Sequence, residues 1–178
     1  MYSYSIKIPI RPHLKKLIAK HVAVDPLVVS FGKCHYSGIF YSNLVRSSFP
    51  QNNFKDHKQL ADKIEIEIPA SIAKENRFYI DPKRVSYIDS QLRSIFDEKL
   101  FEHLNFNANG KGQIKAQVLK FMDYYGITEE DITFDALIKS YQRYRKATGE
   151  KADVNFRTKA TTHNPPPKAN NSQIQMTL

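Results

Sequence analysis

Cysteine occurs once in this chain, at Cys34, and tryptophan not at all. One thiol cannot close an intramolecular disulfide or supply a Cys-x-x-Cys zinc or redox site, which excludes a disulfide scaffold and points to a reducing compartment. Long apolar runs are also missing. No stretch approaches the roughly 20 apolar residues needed to cross a bilayer, and the opening MYSYSIKIPIRP alternates polar with apolar residues instead of presenting a signal peptide's continuous apolar core. A cytoplasmic protein with no membrane partner is expected. The nucleotide-binding and hydrolase signatures GxxxxGK[ST], GxGxxG and GxSxG do not occur. The histidines, at 13, 21, 35, 57, 103 and 163, lack metal-site spacing, and the adjacent Cys34-His35 pair reads as a partly buried thiol beside an isolated imidazole. The sequence therefore names no catalytic residue, no metal ligand and no cofactor, and a non-enzymatic role is expected.

What the chain does have is apolar mass and positive charge. Of its 178 residues 41% are hydrophobic, including ten Tyr and eleven Phe, enough to bury a core. Lys and Arg number 27 against 18 Asp and Glu, a formal charge of +9 that favours polyanionic partners, nucleic acid first. The excess is uneven. Residues 1–61 carry nine basic and two acidic side chains, whereas residues 62–110 carry seven and nine. Residues 111–149 carry seven and five, and residues 150–178 four and two.

Apolar periodicity divides the chain into a small α+β region over 1–80, a helical region over 81–149 and a flexible, Pro-rich tail over 150–178. Tyr2, Tyr4, Ile6, Ile8 and Ile10 alternate as in a half-buried strand, and Pro9, which lacks a backbone donor, either places that strand at a sheet edge or ends it there. Pro12 opens a helix with Leu14, Leu17, Ile18 and Val22 on one stripe and Lys15, Lys16 and Lys20 off it. Leu27 to Val29 fits a second strand, and Ile39, Phe40, Leu44 and Val45 fit a short helix. In KIEIEIP, residues 63–69, the isoleucines face one way and Glu65 and Glu67 the other, so the acidic face can lie opposite Lys7. The sheet is expected to be small, antiparallel or mixed.

The helical half has stronger punctuation. Asp81-Pro82 caps and opens a long amphipathic helix carrying Val85, Ile88, Leu92, Ile95, Phe96, Leu100 and Leu104. A second helix, Gln113 to Tyr125, is expected to bury Ile114, Val118, Leu119 and Met122 and to stop at Gly126. Thr128-Glu129-Glu130-Asp131 reads as a capping-box start to a short turn of helix, and Thr133 as the cap of a last helix. Together these segments predict a trihelical, helix-turn-helix-like unit.

On the last helix, at about 100° per residue, Phe134, Leu137, Ile138 and Tyr141 share roughly a third of the circumference, with Lys139, Gln142, Arg143 and Lys146 opposite. Long cationic and amide side chains at i, i+3, i+4 and i+7 suit a major groove, where Arg pairs with guanine and Gln with adenine. Arg145 and Tyr144 flank this face. The same pattern also describes an ordinary solvated surface with cations at a helix C-terminus. Lys111 and Lys115, beside the second helix's N-terminus, are candidate phosphate clamps, and Lys15, Lys16 and Lys20 a second, non-specific contact. The loop from Asn105 to Gly112 resembles a calcium loop in outline only, since its early positions are Asn and its twelfth is Ala116.

The opening Tyr4 to Arg11 and the closing Ile127 to Lys146 resemble small uncharacterised proteins of phages and mobile elements. That resemblance implies a part in DNA regulation, replication or genome handling, in the cytoplasm of a bacterial host. Double-stranded DNA is thus the expected partner, with a homodimer as one assembly open to the protein. Two other readings remain. One is a structural or interaction protein of a phage assembly that presents a basic surface. The other is RNA or single-strand binding, through a mixture of Lys33, His35, Tyr36, Phe40, Tyr41 and Arg46.

Overall fold

The computed structural model describes residues 4–22, 28–46, 60–75, 77–107 and 113–149. Within these, β1 (Tyr4–Ile10) and β4 (Asp62–Ile68) pair antiparallel, with Ile6 opposite Ile66, Ile8 opposite Ile64 and Lys7 opposite Glu65. Both strands alternate, so one side of the pair is apolar and the other carries a cross-strand Lys and Glu. Ile6, Ile8, Ile10, Ile64, Ile66 and Ile68 are each at most 2% exposed. Burying one such side chain contributes roughly 1.5–3 kcal/mol. A register slip by one residue would exchange isoleucines for Lys7 and Glu65 in the core, which is why the register is well specified.

The short β2 (Val28–Val29) adds to β4 in parallel, giving a mixed sheet in the order β1-β4-β2 with β1 at an edge, where Pro9 costs no sheet hydrogen bond on its outer side. Tyr41, on α2 (Ser37–Tyr41), places its hydroxyl between the carbonyls of Val29 and Glu67, tying β2 to β4. A separate two-stranded ribbon joins β3 (Val45–Arg46) to β5 (Arg77–Tyr79), with α3 (Ala70–Lys74) between β4 and β5.

The helical half begins at α4 (Pro82–Asn107), where the Asp81 carboxylate accepts the Arg84 amide at 2.9 Å, as its capping position requires. Val85, Ile88, Leu92, Phe96, Leu100 and Leu104 form its buried stripe. α4 packs on β1, α1 (Pro12–Ala19) and α2 at one end and on α5 (Gln113–Tyr125) and α6 (Phe134–Ala147) at the other. One hydrophobic core therefore runs from the sheet to the last helix, and the fold is α+β.

Three expectations need correction. The short helix read over Ile39, Phe40, Leu44 and Val45 ends at Tyr41, and Val45 lies in β3. Leu119 is 57% exposed, and Phe121 takes its place in the core. On a helical wheel Leu119 lies about 100° beyond Val118, outside the arc shared by Ile114, Val118, Phe121 and Met122. Thr128 to Asp131 form a single hydrogen-bonded turn and no helix. Gly126, at φ 64, ends α5 with paired bonds from Gly126 to Asp123 and from Ile127 to Met122, and Thr133 already caps α6, so no residues remain for a helix between them. The expected trihelical unit is two helices and a turn, with α4 as the third helix packed against both. Residues 150–178, expected as a flexible tail, lie outside the described residues.

Candidate nucleic-acid interface

The last helix starts at a doubly capped end. Thr133 accepts the Ala136 amide at 3.2 Å, and the Glu129 carboxylate accepts the Phe134 amide at 3.2 Å. Asp131 accepts from both the amide and the hydroxyl of Thr128 and from the Lys16 ammonium. Two of the three acids in this run are thus turned onto local donors, leaving Glu130 outward. The two sides of the Asp131 carboxyl compete. Burial acts to raise its pKa, but the Lys16 and Thr128 hydrogen bonds outweigh burial and hold it below the ordinary carboxylate value.

The packing face of α6 is held on α4 by rings and hydrogen bonds. Tyr144 stacks on Phe101 with centroids 4.4 Å apart, Tyr141 donates to Asn105 Oδ1 at 2.8 Å, and Ser140 donates to Asp97 at 3.1 Å. Burial raises the Asp97 pKa, while Ser140, Arg93 and Arg143 pull the other way. Lys139, Arg143 and Lys146 are exposed on the side away from this packing face, as the wheel predicts, whereas Gln142 is half-buried at its edge. Lys139 and Lys146 pair with no carboxylate among the described residues. From Lys139 to Lys146 the stripe rises about 10 Å along the axis, comparable with the roughly 12 Å width of a DNA major groove.

The other candidate cations are placed differently. Lys15 pairs with Asp62 at 2.7 Å, and Lys16 with Asp131 at 2.5 Å. Lys20 lies over the Tyr124 ring, 4.3 Å from its centroid. Contact of Lys15 or Lys16 with phosphate would require giving up a partner within the fold. Lys115 is exposed in the first turn of α5, and Lys111 lies outside the described residues, as do Asn109, Gly110 and Gly112 of the Asn-rich loop. In the proposed aromatic mixture, Tyr36, Phe40 and Tyr41 are all buried, so those rings are core and offer no stacking surface. Burial also pushes the Tyr36 and Tyr41 hydroxyls up to about 12.

An opening of about 480 Å³ lies between α4 and α5, with Lys99 and Phe106 on one wall and Lys120 and Tyr124 on the other. The sequence signal for it is present but split between two helices: a cation and a ring seven positions apart on α4, and four apart on α5. Sequence reasoning missed the cleft because nothing in either helix alone shows that these faces oppose each other. Among the described residues no cluster of His, Cys, Asp and Glu could hold a metal ion, and no helix is long and apolar enough to cross a membrane. Comparisons with protein-family models, with curated proteins and with solved structures give no match.

Proposed function

We propose that this chain is a non-enzymatic DNA-binding protein that docks on duplex DNA through α6. The observation that carries this reading is the outward stripe of Lys139, Gln142, Arg143 and Lys146 on a helix whose opposite face is fixed to α4 by the Tyr144–Phe101 stack and the Tyr141–Asn105 hydrogen bond. A preorganised cationic face loses little side-chain and backbone freedom on binding, which favours it over an equally charged mobile segment. The approach to the helix is acidic, with Glu129 and Glu130 before it and Asp135 in its first turn, and its end is cationic, so a polyanion meets the turns from Lys139 onward. The Gln142 amide suits adenine and the Arg143 guanidinium suits guanine, while Lys139 and Lys146 neutralise flanking phosphates. Regulation, replication or genome handling in a phage or mobile element is the setting proposed for such docking.

The test is a double substitution, Arg143→Ala with Lys146→Ala, measured against duplex DNA across a salt series. Duplex affinity at low salt is expected to fall while the unfolding midpoint stays unchanged. The slope of log affinity against log salt should flatten by roughly 0.9 for each phosphate that the variant no longer neutralises. Unchanged duplex affinity would reject α6 as the contact and return the protein to the interaction reading.

A further inference from the structure

We propose that the cleft between α4 and α5 binds a nucleotide unit, an aromatic base with its phosphate, presented by single-stranded DNA or as a free nucleotide. The cleft has both parts such a ligand needs. Its lining includes two rings left in solvent, Phe106 on α4 at 80% exposure and Tyr124 on α5 at 57%, and large aromatics left so open on one cleft are a recognised mark of a binding surface. Two ammonium groups line the cleft, Lys99 from α4 and Lys120 from α5, and Lys20, just past the end of α1, lies over the Tyr124 ring. Neither Lys99 nor Lys120 pairs with a carboxylate among the described residues.

Grouped like charges repel, and exposed rings forgo burial; an anion that carries its own ring relieves both at once. A base stacks on Tyr124, and its phosphate takes the lysines. At the base of the cleft Phe121 is 2% exposed, and the His103 ring bridges the two helices through Nε2, 3.2 Å from the Gln117 carbonyl, so the walls are held apart at a set spacing. Glu102 is the one acid in the lining and offers an acceptor to the exocyclic amine of adenine or cytosine. The volume of about 480 Å³ lies within the roughly 300–1,000 Å³ of small-molecule sites. None of these residues belongs to α6, so the cleft stands independently of the duplex reading.

Fluorescence anisotropy of the full chain with a labelled single-stranded 12-nucleotide DNA tests it, with unlabelled AMP and ATP as competitors. Lys99→Ala with Lys120→Ala should lower single-strand affinity by at least about tenfold. Tyr124→Ala should lower it by about fivefold or more, the loss of one stacked base, and Tyr124→Phe should retain it. Lys99→Ala with Lys120→Ala should lower single-strand affinity more than Arg143→Ala with Lys146→Ala, an equal loss of charge, which separates this site from α6. Displacement of the strand by AMP or ATP at micromolar concentration assigns the cleft to free nucleotide, and resistance to displacement assigns it to the strand. Absence of binding to both probes at low salt, or an unaltered affinity in the Lys99 and Lys120 variant, overturns the proposal.

Discussion

His13 lies on α1 with its ring edge-on to Phe96, centroids 5.0 Å apart, and Nδ1 3.3 Å from the Asp131 carbonyl. Burial strips water from the imidazolium and holds its pKa below 6.5; the Asp131 carbonyl pulls upward, and Arg11 adds to the lowering. Because the folded pKa is the depressed one, the unfolded chain binds more protons between that value and 6.5. Stability should therefore be level above about 6.5 and decline as pH falls through this window. Thermal unfolding midpoints between pH 7.5 and 5.5 check this, with His13→Phe expected to flatten the decline. A decline equally steep in the variant would place the titration on another group, such as His21, whose pKa burial, Lys99 and His35 also lower.

Among the elements, α6 depends most on its first residues. Thr133 carries its N-cap hydrogen bond, and replacing Ser, Thr, Asn or Asp at such a position by Ala costs about 1 kcal/mol. Thr133→Ala should lower the urea midpoint accordingly without changing the slope of the transition. Residual Glu129 capping of Phe134 keeps α6 formed, and a loss above about 3 kcal/mol would show that the turn itself had collapsed. Such starts and stops were legible in the sequence because their chemistry is local: Pro12, Asp81-Pro82, Gly126 and Thr133 each act where they stand. The buried face of each strand was legible too, since Lys7 and Glu65 alternate with the isoleucines, but which strands pair was not, because pairing is fixed by contacts distant in sequence. Leu119 was misplaced because its apolar character alone does not say on which side of Val118 the core lies, and Phe121 and Tyr125 were needed to centre the stripe.

At the scale of the molecule, the +9 charge divides by the company each cation keeps. Lys15, Lys16 and Arg11 close ion pairs with Asp62, Asp131 and Asp89, joining α1 and its cap to β4, the α5–α6 turn and α4. None of these partnerships could be read from the chain, because the members of each pair are far apart in sequence and only the packed core brings them together. A count of basic residues thus overstated the amino-terminal segment, while the α6 stripe was visible from its period alone. The Lys16–Asp131 link is open to a double-mutant cycle. Asp131→Ala should cost about 1 kcal/mol, since it removes the ion pair together with the hydrogen bonds from the solvent-exposed Thr128 amide and hydroxyl, and Lys16→Ala should cost less. The coupling between them should be about 1 kcal/mol in denaturant unfolding; additive single losses would mean that the pair does not join the two regions.

That link also places a clock on the protein's birth. Lys16 and Asp131 are separated by 115 positions, and at the roughly 5–20 residues per second of synthesis the acid follows the lysine by roughly 6–23 s. Through that interval α1 has been made without the turn that takes Lys16 and His13, so its tie to the α5–α6 junction closes only once synthesis has passed Asp131.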